Sequence, residues 1–455
     1  MKLFGWRWLV ASSLILSIAA AAATHPQYGG TLRVSLWESP TTLDPADGAE
    51  SDSFARRNLL ALIFETLVSL DDSGRAQPAL ATSWQAAPGQ QRWQFQLRPR
   101  VNFNDGSPLT AEIAASSLRT VNPRWHVRAE GDAVVVETAE PDAHLPSELA
   151  LPRNAIVKRT GRKLNGTGPF HIEEWQPGKR LMLAAEESYW GGRPFLDSVD
   201  IELGRNYSSQ LMALDLGKAQ WVQVAPEQAH RAAMEGRRTE SSQPMELVAL
   251  LFTHDAQSSD EKRLRQALAL SVERASVRSV LLQGAGQPAA GILPDWMSGY
   301  GFVFSTDADI AKARHELAQV RNPPVWSVGY DSNDAISKLL AERIALNAKD
   351  AGLTLQPTTA ATADLRVMRI ALASTDPRVA LTEAAAAAGL AAPKMNGDSP
   401  EDLYAAEQAM LATQRLIPLF HLPVSYAAAP AVKNWSLGAD GSWRLADVWL
   451  GSEKP

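Results

Sequence analysis

The stretch Trp93-Gln-Phe-Gln-Leu-Arg98, continued by Val101-Asn-Phe-Asn-Asp-Gly-Ser-Pro-Leu-Thr-Ala111, packs three structural signals into a short length. Trp93, Phe95 and Leu97 alternate with polar residues, and Val101 and Phe103 repeat the pattern. Such alternation sets one face of an extended chain against a core and the other in water. Asn104-Asp105-Gly106 supplies residues that tolerate the backbone of a tight turn. Thr110 stands where an N-cap oxygen would accept an amide hydrogen, so a helix is expected over 111–118. Strands, a turn and a capped helix in immediate succession point to a mixed α/β chain.

The same reading extends in both directions. Upstream, Leu32, Val34 and Leu36 alternate in a strand over 30–37, a loop follows over 38–45, and the leucine-rich stretch 54–70 reads as one helix entering a turn at 71–74. Downstream, a strand is expected over 133–138. Gly166-Thr-Gly-Pro-Phe170 makes a corner before a hairpin turned by Pro177-Gly-Lys179. Helices become clearer in the second half. Ser258 and Glu261 have capping-box spacing ahead of Leu264 and Leu268. Ile336, Leu340 and Ile344 lie on one helical face that Gly352 ends. Ser399-Pro400-Glu401-Asp402 combines a cap, a proline in the first turn and acid near the positive end of the dipole. A strand is expected at 416–419. Helices interleaved with strands imply an α/β architecture.

The chain has 455 residues, 45% hydrophobic and 21% charged, with a formal net charge of -6. That length suggests two or three domains and a core that needs no staples. The acidic balance gives no surface for nucleic acid. Lys2 and Arg7 precede an apolar run over 9–23 that is broken only by Ser12, Ser13 and Ser17 and ends in small residues. The run falls short of the ~20 residues that span a bilayer, so a signal peptide over 1–23, cleaved before Thr24, is expected. There is no cysteine, hence no disulfide and no site for a lipoprotein anchor. The expected location is the periplasm.

Catalytic patterns are missing. The sequence has no G-x-S-x-G, no H-E-x-x-H, no phosphate loop and no G-x-G-x-x-G after a strand. The eight histidines are scattered, and none stands at metal-ligand spacing from another. A non-enzymatic protein without cofactor or metal is expected. Of fourteen tryptophans, most lie in strand-like segments and read as core. Trp37 ends the first strand, and Trp296 and Tyr300 lie in the loop Leu293-Pro-Asp-Trp-Met-Ser-Gly-Tyr300, where aromatic rings more often face a ligand.

The order of segments resembles the family 5 extracellular solute-binding proteins, which serve peptide- and nickel-type ABC importers. The likeness is carried by Gly30-Thr-Leu-Arg-Val34 with Leu43-Asp-Pro45, by Phe64-Glu-Thr-Leu67 with Pro78-Ala-Leu-Ala-Thr-Ser-Trp84, and by the 93–111 stretch. It continues through Gly166-Thr-Gly-Pro-Phe170, Tyr189-Trp-Gly-Gly-Arg-Pro194, Arg265-Gln-Ala-Leu-Ala-Leu-Ser-Val-Glu-Arg274 and Ile417-Pro-Leu419. The resemblance implies a two-lobed periplasmic-binding-protein-like (type II) fold with an additional small inserted domain. Lobe I would be discontinuous, from 24–69, 161–249 and 421–455. The insert would cover 70–160 and lobe III 250–420. A small, peptide-like ligand would be trapped between lobes by hinge closure and passed to a membrane permease. The receptor would act as a monomer.

The resemblance also nominates side chains. Peptide-binding members hold the ligand's amino terminus with an aspartate in a Gly-Trp-x-x-Asp-Tyr-like segment. The corresponding stretch here is Met368-Arg-Ile-Ala-Leu-Ala-Ser-Thr-Asp-Pro377, which lacks the glycine and tryptophan and offers Asp376. Arg369 is placed to hold a carboxylate. Glu38 follows the first strand, where the family's first lobe approaches its ligand. An extracytoplasmic sensor or chaperone-like module on the same fold is the alternative from another functional class.

Overall fold

A computed structural model describes residues 25–48, 52–395, 397 and 399–451. The expected signal peptide and its cleavage before Thr24 lie outside the described residues.

One mixed sheet runs through the molecule. At one end the hairpin Phe170–Gln176 and Arg180–Ala185 lies beside Ser198–Glu202, which pairs in parallel with Thr31–Ser35 and so leads to Trp221–Val224. At the other end Leu365–Ala371, Val325–Gly329 and Thr354–Thr358 form a parallel group. Two long antiparallel strands, Arg238–Phe252 and Leu416–Ala428, join the halves. Because they run antiparallel, the start of the first and the end of the second belong to one half: Ala428 pairs with both Trp221 and Arg238. The end of the first and the start of the second belong to the other, where Glu246 to Phe252 pair with Leu365 to Ala371.

The ladder is broken at the crossover. Register shifts occur at Ser241, Pro244 and Glu246, and Pro244 faces Pro423. Proline has no amide hydrogen to give to a ladder, so two opposed prolines leave a weakly bonded step. The ladder is thus weakest where the halves meet.

Each half is covered by helices on faces set by side-chain alternation. Met245, Leu247 and Ala249 of the first crossing strand face a core shared with Leu381 and Ala385 of the helix Pro377–Ala387. Val248, Leu250 and Phe252 face the other way, onto Leu264, Leu268, Leu340 and Ile344. A separate four-stranded sheet over Ala81–Ala86, Arg92–Leu97, Ala133–Glu137 and His126–Glu130 has its own core, in which Trp93, Phe95, Leu97, Val101 and Phe103 pack on the helix Ala111–Val121. These lobes define a two-lobed α/β periplasmic-binding-protein-like fold.

Local signals behave as their chemistry requires. Thr110 Oγ1 accepts from Ile113 N, Ser399 and Asp402 form a complete capping box, and Gly352 ends its helix with φ near +103°. Three expectations are corrected. The 54–70 stretch is a helix only over Phe54–Ile63, followed by an extended Phe64 and a strand at Val68–Leu70. The glycine corner decides this. Gly168 N donates to Ile63 O at 3.0 Å, and a Cβ at Gly166 would meet that same oxygen at 1.9 Å. The strand expected at 416–419 continues to Ala428. The Leu293–Tyr300 segment holds a short helix, Asp295–Ser298, where a loop was expected.

Candidate functional site: the cleft between the lobes

Strand Leu365–Ala371 brings Arg369 to the edge of the lobe junction. Its neighbour in the sheet is the crossing strand, from which Glu246 Oε2 accepts a hydrogen bond from Arg369 Nη2 at 2.6 Å. Asp334 caps the helix Ala335–Ala351, accepting from Ile336 N with one oxygen and from Arg369 Nη1 at 3.2 Å with the other. From the opposite lobe, the Trp37 ring lies 5.7 Å from the guanidinium and stacks on Tyr207 with centroids 6.0 Å apart. Glu38, next in sequence, accepts from Ala55 N at 2.7 Å at the start of the helix Phe54–Ile63.

The electrostatics follow from this crowding. Burial works against the charge on Arg369, but Glu246, Tyr207 and Asp334 outweigh it and hold its pKa well above the ordinary value. Burial pushes the Glu38 carboxyl up, opposed by its hydrogen bonds from Ser53 and Ala55. Burial also raises Glu227. The network is not closed: Arg369 Nε is buried without a hydrogen-bond partner, and the buried Asp52 oxygens accept no hydrogen bond, Oδ1 lying 3.9 Å from Arg56 Nη1 as an ion pair.

Trp37, Glu38, Asp52, Glu246, Asp334 and Arg369 line a cleft of about 1410 Å³. One wall comes from 37–40, 45–48 and 52–54 with Arg56, Gly204 and Asn206. The other comes from Asp331, Asp334, Ser337, 366–371 and Glu383, and Val121 and Arg153 close one end. Seven carboxylates (Glu38, Asp47, Asp52, Glu246, Asp331, Asp334, Glu383) face four guanidinium groups (Arg56, Arg153, Arg366, Arg369). Contacts also cross between the walls and beside them. Arg153 grips Glu383 with both terminal nitrogens, one at 2.7 Å, and Arg57 Nη1 donates to Leu372 O at 2.9 Å.

Trp37, Glu38 and Arg369 therefore come together in the cleft. The other three nominated residues do not line it. Asp376 caps the helix Pro377–Ala387, accepting from Arg378 N at 3.0 Å and Val379 N at 3.3 Å, while its other oxygen meets His144 Nδ1 at 3.0 Å. Burial opposes its charge, and His144 and Ser147 outweigh that and hold the carboxyl below the usual range. Trp296 Nε1 donates to Pro244 O at 3.1 Å, and the ring packs on the core. Tyr300 is buried and its hydroxyl donates to Glu407 at 2.7 Å. Both aromatics serve the scaffold.

Glu246, Asp334 and Tyr207 were not anticipated. Glu246 had a signal: it is the one ionisable residue in Met245-Glu-Leu-Val-Ala-Leu-Leu-Phe252, otherwise an apolar strand. Asp334 was legible as a cap but not as a partner of Arg369, 35 residues away. Among the described residues no group of three or more His, Cys, Asp or Glu is arranged to hold a metal ion.

A deep cleft between two lobes that share a pair of crossing strands is the architecture of a two-lobed periplasmic-binding-protein-like fold. Residues 75–388 match the bacterial extracellular solute-binding proteins, family 5 (middle), and the chain belongs to that family. Protein XP55 of Streptomyces lividans is 25% identical over 360 residues, 71% of this chain and 65% of that protein. The probable D,D-dipeptide-binding periplasmic protein DdpA of Escherichia coli (strain K12) is 24% identical over 361 residues, 72% of this chain and 69% of its own length. The chain thus spans about two thirds of the length of these curated relatives. The murein tripeptide binding protein MppA of Escherichia coli shares the fold at a TM-score of 0.79 and 16% identity, covering 93% of this chain and 99% of the other.

Proposed function

We propose that this protein is an exported, periplasmic receptor that captures a small peptide-like solute bearing a basic group and delivers it to the membrane permease of an ABC importer. It works as a monomer and without nucleic acid. The observation that carries the reading is the cleft itself, about 1410 Å³ and walled from both lobes. That space suits a small ligand rather than a macromolecule. The surplus of carboxylates in its walls favours a cationic group, and Glu38, with Trp37 beside it, is the group we assign to meet it. The kinship with receptors named for D,D-dipeptide and murein tripeptide supports a peptide-like solute.

Closure follows from the hinge. A solute touching both walls binds the closed form better and shifts the population towards it. The opposed Pro244 and Pro423 leave the step at which the crossing strands can bend. The same preference stabilises the fold by about 2.7 kcal/mol at a hundred times the dissociation constant.

Thermal-shift screening of di- and tripeptides and other small solutes, followed by X-ray scattering with the best stabiliser, tests the reading. The expected result is a smaller radius of gyration with ligand and recovery of the ligand intact. Chemical turnover, or tight binding without compaction, would overturn it.

A further inference from the structure

The small sheet domain is fastened to one lobe and only touches the other. Ile156 N donates to Glu65 O at 2.8 Å and Asn104 N to Gly166 O at 2.9 Å, so backbone bonds tie it to the first lobe, that of Thr31–Ser35. Its buried core runs from Leu67 to Ile156 and, among the described residues, includes none from the second lobe, that of Leu365–Ala371 and the helix Pro377–Ala387.

Where the small domain meets the second lobe, the joint is polar. Thr375 Oγ1 donates to Asp71 O at 3.2 Å, and a Cβ at Gly74 would meet Thr375 O at 2.6 Å. His144 Nδ1 lies 3.0 Å from Asp376 Oδ2. About two turns along the helix, both terminal nitrogens of Arg153 donate to the carboxylate of Glu383, one at 2.7 Å. His144 and Arg153 are held firmly on their side, because Leu145 and Leu149 of the same segment belong to the small domain's core. Beside these contacts lies a cavity of about 420 Å³, bordered by Leu151, Pro152, Ser374 and Thr375. A joint of polar contacts around a cavity can part and re-form, which a shared apolar core would resist.

Arg153–Glu383 is the strong contact. The Glu383 side chain is 16% exposed, and the pairing is bidentate, the geometry in which a guanidinium holds a carboxylate best. Burial works against the charge on Arg153, and Glu383, with Asp52 and Glu148 behind it, outweighs that. The His144–Asp376 pair is the weaker, since His144 is partly exposed.

We infer that the small domain is a clasp on the cleft: it rides with the first lobe, and its Arg153 catches Glu383 of the second lobe when the two come together, holding the receptor closed. The inference rests on closure by a hinge, the reading proposed above. Because the clasp consists of the chain's own side chains, it draws the lobes together with or without a solute. Its strength sets the closed fraction of the free receptor and, through that fraction, the apparent affinity for a solute that binds the closed form.

The chain has no cysteine, so a labelled pair can be placed without interference. Asp132→Cys in the small domain and Lys349→Cys in the second lobe replace exposed residues. Pulsed electron–electron resonance on the full-length mature protein, with no solute added, reads the distance between spin labels at the two positions. The expected distribution contains a closed and an open population. Glu383→Gln and Arg153→Met should each lower the ratio of closed to open about tenfold or more. The two together should do no more than either alone, since both remove one interaction. A wholly open distribution before either substitution, an unchanged one in Glu383→Gln, or losses that add in the double variant would each overturn the clasp. No solute enters this measurement, so its outcome is separate from that of the solute screen.

Discussion

The cleft and the segment around Glu407 are built from the same kinds of residue and end up with opposite properties. At Glu407, Oε1 accepts from the backbone of Ile292 and of Leu293, the latter at 3.1 Å, and Oε2 accepts from Tyr300 at 2.7 Å. His421 Nε2 donates to Ile292 O at 2.9 Å and completes the group. Around Arg369 there are also a buried charge, carboxylates and an aromatic ring, yet Arg369 Nε and the Asp52 oxygens have no hydrogen-bond partner. A saturated network has nothing left to offer a ligand and serves stability. An unsaturated one costs stability and keeps binding capacity in reserve. Aromatic and charged composition alone does not separate the two, which is why Tyr300 and Trp37 looked alike as candidates.

Substitutions can break or sharpen this contrast. The largest effect is expected at Glu407. Glu407→Ala strands two buried amides and a hydroxyl and should lower the unfolding free energy by about 3–5 kcal/mol in urea titration, with solute affinity of the folded fraction unchanged. An affinity loss would mean that the closed network communicates with the cleft.

The next effect is in pH. Burial lowers the pKa of His421 from 6.5 to about 4. The unfolded chain therefore takes up this proton first, and stability contributed by the neutral ring is whole above pH 6.5, falls as pH drops, and is gone below about 4. The full span is about 3 kcal/mol. Urea midpoints measured from pH 7 to pH 4 should fall less steeply in His421→Gln, and parallel curves would assign the acid sensitivity to other groups.

In the cleft, Arg369→Met leaves Glu246 and Asp334 without their cation. Affinity for the stabilising solute should change by about ten- to a hundredfold in calorimetry. A change below about twofold would show that Arg369 only braces the wall. The smallest effect is expected at Asp376. Asn caps helices as well as Asp, so Asp376→Asn loses only the pairing with the partly exposed His144 and the contact with Ser147, together worth about 0.5–1 kcal/mol in urea titration. Solute affinity should stay unchanged, and a tenfold loss would return Asp376 to the ligand.

Much of the fold could be read from the chain because its causes are local. Thr110, Ser399 with Asp402, and Gly352 act on backbone groups a few residues away, and alternation at Trp93, Phe95 and Leu97 reports the buried face of one strand. The order of motifs supplied the family, and Trp37, Glu38 and Arg369 from the nominated residues do meet in the cleft. The end of the first helix was not readable, since Gly166 and Gly168 set it from a hundred residues away. Nor was the fate of Asp376, Trp296 and Tyr300, whose partners His144, Pro244 and Glu407 lie far along the chain.

The sequence by itself determined the class of elements, their caps and turns, and the kinship, because each rests on short-range chemistry or on the order of motifs. Tertiary structure alone decided which polar side chains are satisfied. Whether Glu407 is sealed or Arg369 half-met depends on what distant strands bring within about 3 Å, and hydrogen bonding has no longer reach than that.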